Sequence, residues 1–168
     1  IDSPKTYLES NIFGFFNLLE ACRYNNISHL IYASSSSVYG LNSSFPFKEN
    51  DNTDCPISFY GATKKANEVM GYTYSHLYNI PSTALRFFTV YGPWGRPDMA
   101  PFIFAKAIIN EEPINLYNHG NMVRDLTYID DVIECISRLI NKPPIEKISN
   151  NPTPHKILNI GKGEPVNI

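Results

Sequence analysis

Two hydrophobic periods alternate along this chain, and the alternation limits its fold more than any single residue does. From about Thr6 to Arg23, the side chains of Tyr7, Ile12, Phe15, Phe16, Leu18, Leu19 and Cys22 fall largely on one face at helical spacing, and Asn25-Asn26 ends the run. His29 to Ala33 is a short apolar run of β-formers, read as a strand buried on both faces. A polar loop follows from Leu41 to about Ser58. Phe59 to Tyr78 returns to helical spacing and stops at Asn79-Ile80-Pro81, and Ser82 to Phe88 reads as a second strand. Beyond these come a helix near Pro101 to Asn110, a strand near Ile114 to Tyr117, a helix opened by Asp130-Asp131, and a last strand from Ile157 to Ile160. Strands alternating with helices of this length predict an α/β fold with a mainly parallel sheet. Ligands of such sheets bind beyond the carboxyl ends of the strands. The run Ser34 to Ser37, Thr89, and the Gly-Pro-rich loop from Tyr91 to Pro97 all stand at such ends.

Composition narrows the class of function. A chain of 168 residues with 43% hydrophobic content can bury a real core. With 14 basic against 16 acidic residues, it has no electrostatic reason to seek nucleic acid or an anionic membrane. No run approaches the roughly 20 apolar residues that span a bilayer, and the start lacks a signal pattern. Cys22, Cys55 and Cys135 have no C-x-x-C spacing, which argues against a disulfide framework or a zinc site and suits a reducing cytoplasm. His29, His76, His119 and His155 have no metal-ligand spacing and read as structural or solvated. The chain opens with Ile1 rather than Met, so a piece of a longer protein is expected.

The residues that carry chemistry begin with Tyr60-Gly61-Ala62-Thr63-Lys64. Spacing of four puts Tyr60 and Lys64 on one helical face. A free phenol, with a pKa of about 10, is a poor base at neutral pH. A neighbouring ammonium favours the phenolate and makes it a usable acid/base. Such a pair also occurs as an ordinary amphipathic surface pair. The hydroxyls of Ser34 to Ser37, directly after a strand, can hydrogen-bond a substrate hydroxyl and relay its proton to the phenolate. The competing reading is a solvated turn. Strand, hydroxyl run and Tyr-x-x-x-Lys, in that order, favour catalysis.

Four ordered motifs then carry a resemblance: Ser34-Ser35-Ser36-Ser37-Val38-Tyr39-Gly40, Tyr60-x-x-x-Lys64, Leu85-Arg86-Phe87-Phe88-Thr89-Val90-Tyr91-Gly92-Pro93, and Arg124-Asp125 with Tyr128-x-Asp130-Asp131. Together they resemble the extended short-chain dehydrogenase/reductase family, the NAD-dependent nucleotide-sugar epimerases and dehydratases, from about Ser3 to Gly163. The resemblance implies a Rossmann-type domain with tightly bound NAD, a smaller region gripping a UDP-sugar, and a homodimer through the helices of Asn11 and Tyr60. It places the cofactor part with the catalytic pair in residues 1–92. The substrate loops and remaining strands fall in residues 93–168, the two parts being interleaved. Family members begin with a Gly-rich strand-turn-helix that cradles the pyrophosphate. No G-x-x-G-x-x-G occurs here, and the chain resembles the middle of an epimerase.

Within the family, dehydratases and decarboxylases carry proton-transfer carboxylates where this chain has Ser36 and Ser37, which points to plain epimerisation. The segment Thr89 to Ala100 resembles the UDP-glucuronate 4-epimerase version of its loop, and implies a supply of galacturonate for surface polysaccharide. The alternatives are another UDP-hexose as substrate, or a non-catalytic fragment. By the resemblance, Tyr60 and Lys64 are catalytic, with Ser35 or Ser37 as relay. Asn11, Ser34, Phe87 and Val90, with Tyr60 and Lys64, meet the cofactor. Ser36, Thr89, Arg96, Tyr117 and Arg124 meet the substrate, with Tyr117 near the uracil. Arg96 is suited to the C6 carboxylate and Arg124 to the diphosphate. The competing readings are that Arg96 pins its own loop and that Arg124 pairs with Asp125 or Asp130.

Overall fold

The computed structural model describes residues 3–42, 45–144 and 153–167, without the side chain of Tyr117. The chain forms two compact units, Ile1–Phe87 with Ser137–Ile160, and Phe88–Ile136 with Gly161–Ile168.

The first unit is built on a sheet of β1 (Leu30–Ser35), β2 (Ser82–Phe87) and β6 (His155–Ile160) in the order β1-β2-β6. Both pairings are parallel, as the alternation predicts, with Leu30 opposite Ser82 and Ser82 opposite His155. The long amino-terminal helix is three segments: α1 (Pro4–Tyr7), a π-helical turn (Leu8–Phe13) and α2 (Gly14–Tyr24). Periodicity predicts the helix but not the π-turn, which shifts every side chain before it relative to those after. Phe15, Leu19 and Cys22 of α2 pack with Leu30, Tyr32, Ile80 and Ala84 to form the core. Each large apolar side chain buried there contributes about 1.5–3 kcal/mol. The helix α3 (Phe59–Tyr78) matches its expected span. Ser58 caps it by accepting from the Gly61 N–H at 3.0 Å, and Asn79 ends it in the left-handed region at φ 51°.

Two expectations need correction. β1 is not buried on both faces: Leu30, Tyr32 and Ser34 point into the core, whereas Ala33 is exposed. Ile31 and Ala33 instead line an open cleft of about 390 Å³ with Ser10, Asn11, Gly14 and Lys64. The predicted strand at Ile114 to Tyr117 is irregular, and a 3-10 turn occupies Tyr117–Gly120. Pro113 before it offers no N–H, and two alternating apolar residues do not hold a strand without a paired neighbour.

The second unit contains β3 (Thr89–Tyr91) parallel to β5 (Leu126–Tyr128), and β4 (Val123–Arg124) antiparallel to β7 (Val166–Asn167). It also holds α4 (Ala100–Ile109) and the start of α5 (Ile129–Ile140), whose first turn carries Asp130 and Asp131 as expected. The free cysteines are Cys22, buried, and Cys55 and Cys135, exposed. Among the described residues, no helix is long and apolar enough to cross a membrane.

One tie in the sheet gives a pH dependence. Tyr32 on β1 and His155 on β6 share a hydrogen bond of 2.9 Å across β2. Burial pushes the His155 imidazole down to about 4, with Glu68 opposing, from an ordinary 6.5. The unfolded chain therefore binds this proton first. The contribution is fully present above pH 6.5 and is lost as pH falls toward 4. A shift of this size corresponds to about 3 kcal/mol at most. Urea midpoints at pH 7 and pH 5 are expected to differ more for the native chain than for His155→Gln. Equal pH dependence in both would remove His155 from the effect.

Candidate active site

The amino-terminal end of α3 is pressed against the serine turn. A Cβ on Gly61 would lie 2.7 Å from the Ser37 carbonyl oxygen and 3.1 Å from Ser58 Oγ, so only glycine allows the approach. Tyr60 is the residue before Gly61, in the first turn of α3. One turn on, the Lys64 ammonium donates to the Ala33 carbonyl at 3.2 Å and lies 5.9 Å from the centre of the Tyr60 ring. Desolvation in the cleft holds the Lys64 pKa below its ordinary value. The Tyr7 ring also packs near the Tyr60 ring, with centroids 5.9 Å apart.

The serine run divides by role. Ser34 is buried and donates to Glu68 Oε1 at 2.6 Å. Ser35 Oγ donates to Ser37 Oγ at 3.2 Å and accepts from the Ser37 N–H at 3.2 Å, capping the 3-10 turn Ser36–Tyr39. Ser36 and Ser37 are half-buried. The linked hydroxyls of Ser35 and Ser37 lie at and just beyond the carboxyl end of β1. Lys64, which stands 5.9 Å from the Tyr60 ring centre, is tied to the same strand through Ala33. Hydroxyls, a phenol and an ammonium are the groups suited to moving a proton on an alcohol. Asn11, in the π-turn, lines the same cleft as Lys64. Its amide donates to Thr63 Oγ1 at 3.0 Å, and its carbonyl accepts from Asn67 at 2.7 Å. These bonds fix the π-turn to α3. Phe87 ends β2, half-buried.

In the second unit, Thr89 and Val90 lie on β3, both half-buried, and the Thr89 N–H donates to the Asp125 carbonyl at 3.2 Å. The loop that follows is tightly folded. The Gly95 N–H donates to Gly92 at 3.1 Å, the Met99 N–H to Arg96 at 3.2 Å, and the Phe102 ring occupies the space a Gly95 side chain would need. Arg96 is exposed and grips Asp98 with both arms, Nε to Oδ1 at 3.0 Å and Nη2 to Oδ2 at 2.6 Å. The hydrogen-bonded Arg96 guanidinium holds the Asp98 carboxyl below the usual range. Arg124 is exposed and donates to the Val123 carbonyl at 3.0 Å and to Met122 Sδ at 3.6 Å. The Asp125 carboxylate accepts from the Lys162 N–H at 2.8 Å, the Gly163 N–H at 2.7 Å and Thr127 Oγ1 at 2.9 Å. It anchors a turn rather than its neighbour Arg124. The side chain of Tyr117 lies outside the described residues.

Sequence reasoning missed a buried ion pair. Arg86 on β2 donates to Glu68 on α3 through Nε at 2.8 Å and Nη2 at 2.9 Å, both side chains being 2% exposed. The signal was available: a charged residue in a central strand, and a Glu continuing the helical stripe of Tyr60 and Lys64.

Comparison with known proteins gives the chain its relatives. Protein CapI of Staphylococcus aureus is 58% identical over 177 residues, spanning 100% of this chain and 53% of that protein. A probable UDP-glucuronate 4-epimerase of Rhizobium meliloti (strain 1021) is 46% identical over 178 residues, spanning 100% of this chain and 52% of that one. Among solved structures, the UDP-glucuronic acid 4-epimerase of Bacillus cereus, in complex with UDP-glucuronic acid and NAD, matches with a TM-score of 0.82 and 36% identity. That match covers 96% of this chain and 49% of the other. The chain thus spans about half the length of the curated relatives it matches. A family model described as NAD dependent epimerase/dehydratase family matches residues 1–161, and the chain belongs to that family.

Proposed function

We propose that this chain carries the acid/base centre and the sugar-gripping loops of an NAD-dependent UDP-sugar 4-epimerase whose substrate is UDP-glucuronate. The observation that carries the reading is the Tyr60–Lys64 pair, anchored by Lys64 to Ala33 and set by Gly61 against the serine turn. The cofactor fits the donor set. Of the three N–H groups of Lys64, one is given to Ala33 and the others suit ribose hydroxyls, while Asn11 and Gly14 line the same cleft. Phe87 and Val90 complete the cofactor-side assignment, whereas the Ser34 hydroxyl, buried and given to Glu68, is not free to meet the cofactor. NAD supplies a reversible acceptor for the hydride at C4 of the sugar.

The chain's own residues do the rest. The phenolate oxygen of Tyr60 takes the proton of the 4-hydroxyl, with the linked hydroxyls of Ser35 and Ser37 holding that hydroxyl in line. The Lys64 ammonium stabilises the charge on the phenol oxygen. After the 4-keto sugar turns in the site, Tyr60 returns the proton to the other epimer. Thr89, Ser36 and Arg96 orient the uronate, Arg124 pairs with the diphosphate, and Tyr117 lies near the uracil. Incubating the intact protein with UDP-glucuronate and following the sugar by proton NMR tests the reading. UDP-galacturonate is expected to accumulate without net reduction of added NAD. Epimerisation of UDP-glucose with no action on UDP-glucuronate would reassign the substrate.

The same reading carries a homodimer through the helices of Asn11 and Tyr60. Both helices leave large apolar side chains exposed, among them Phe13, Phe16 and Leu18 on one and Val69 and Leu77 on the other. Sedimentation is expected to give twice the mass of one chain, and Phe13→Lys with Val69→Lys to give a single chain. A native protein that sediments as a monomer at micromolar concentration would remove the dimer.

A further inference from the structure

We propose that Glu68, held by Arg86, is a positioning residue that sets the serine turn against the Tyr60–Lys64 stripe of α3. The proposal rests on the catalytic reading above. Glu68 follows Lys64 by one helical turn and Tyr60 by two, so its carboxylate continues the same face. Both its oxygens are engaged: Oε1 accepts from Ser34 Oγ at 2.6 Å and Arg86 Nε at 2.8 Å, and Oε2 accepts from Arg86 Nη2 at 2.9 Å.

Arg86 extends the bond network outward. Its Nη1 donates to Tyr39 Oη at 3.0 Å and to the Glu49 carbonyl at 3.1 Å, and Tyr39 Oη donates to Asn159 Oδ1 at 2.7 Å. Ser34 precedes and Tyr39 ends the stretch that holds the relay hydroxyls, so one ion pair clamps the serine turn at both ends. A buried ion pair adds little stability over a well-packed apolar pair of the same volume. What it adds is direction: a carboxylate with two fixed oxygens sets where Ser34 sits, and an apolar pair cannot. The reacting hydroxyls are then placed relative to the phenol by bonds outside the site itself.

Ser34→Ala cuts the tie at the strand end while leaving Glu68 and Arg86 paired, and it leaves the core intact. Hydrogen exchange on the chain itself is expected to quicken about tenfold at the amides of Ser35 to Tyr39, with those of β2 and β6 unchanged. In the intact protein, kcat for the sugar is expected to fall on the order of 10²-fold with KM little changed. Ser34→Thr, which keeps the hydroxyl, should restore both. Glu68→Leu with Arg86→Met, an apolar replacement of the pair that leaves Ser34 no acceptor on α3, should reproduce the Ser34→Ala pattern even where single variants fail to fold. Exchange that quickens uniformly, or not at all, overturns the proposal, and so does unchanged kcat. A native protein without epimerase activity sinks the catalytic reading instead, and the exchange experiment still decides the placement.

Discussion

Tyr60→Phe is expected to slow turnover of the intact protein by about 10²–10⁴-fold while leaving UDP-sugar affinity near its original value. The substitution removes one hydroxyl and little else. The ring keeps its place against Tyr7, 5.9 Å away, and the backbone of α3 is still fixed by the Ser58 cap and by the approach of Gly61 to Ser37. Lys64 keeps its bond to Ala33, so the cleft it lines with Asn11 is unchanged. Without the phenol, the proton of the 4-hydroxyl must leave through Ser35 and Ser37, whose neutral hydroxyls are too weakly basic to serve as the final acceptor. The loss should therefore appear in kcat, with KM unmoved. Steady-state kinetics with calorimetric binding of UDP-glucuronate decides this, and turnover within a few-fold of native would remove Tyr60 from the proton path.

The framework of this chain was legible because its periodic segments are long and punctuated. Ser58 and Asn79 bound α3, Asn25 ends α2, and Ser82 to Phe87 is a strand buried at nearly every position. The placing of Tyr60 and Lys64 on one face was legible for the same reason, since both lie within one uninterrupted helix. What failed to show lies in contacts between segments far apart in the chain. The π-turn at Leu8–Phe13 has no composition of its own, and it is stabilised from α3 through Asn67 and Thr63. Ser34 reads as one more hydroxyl in a run of four until Glu68, well downstream, claims it. The irregular course at Ile114 to Leu116 shows the opposite limit: two apolar residues in alternation suggest a strand, but pairing makes one.

Arg96→His is expected to change what the intact protein makes as well as how fast. Oxidation at C4 of a uronate creates a ketone β to the C6 carboxylate, and such a β-keto acid loses CO2 once the breaking bond lies parallel to the carbonyl π-system. An enzyme that must return the carboxylate intact has to hold it out of that alignment. The Arg96 fork is suited to the task because two parallel donors fix the plane of a carboxylate, which a point charge cannot do. In the structure it grips the Asp98 carboxylate in that way, at 3.0 and 2.6 Å, and a uronate presents the same pair of oxygens. The backbone beneath it is fixed by the bonds Gly95 to Gly92 and Met99 to Arg96, so the imidazole of His would project from an unchanged loop with a single donor at the carboxylate. Tyr60 and Lys64 are untouched, and oxidation at C4 proceeds. The freed carboxylate then rotates into overlap, the C5–C6 bond breaks, CO2 leaves, and a proton adds at C5 to give a UDP-4-keto-pentose. Mass spectrometry of the products from UDP-glucuronate should show this species, lighter than substrate by CO2 and two hydrogens, at the expense of UDP-galacturonate, the C4 hydride staying with NAD for each molecule formed. If the variant slows by about 10²-fold and yields only the epimer, the carboxylate is restrained by other groups and Arg96 serves its own loop.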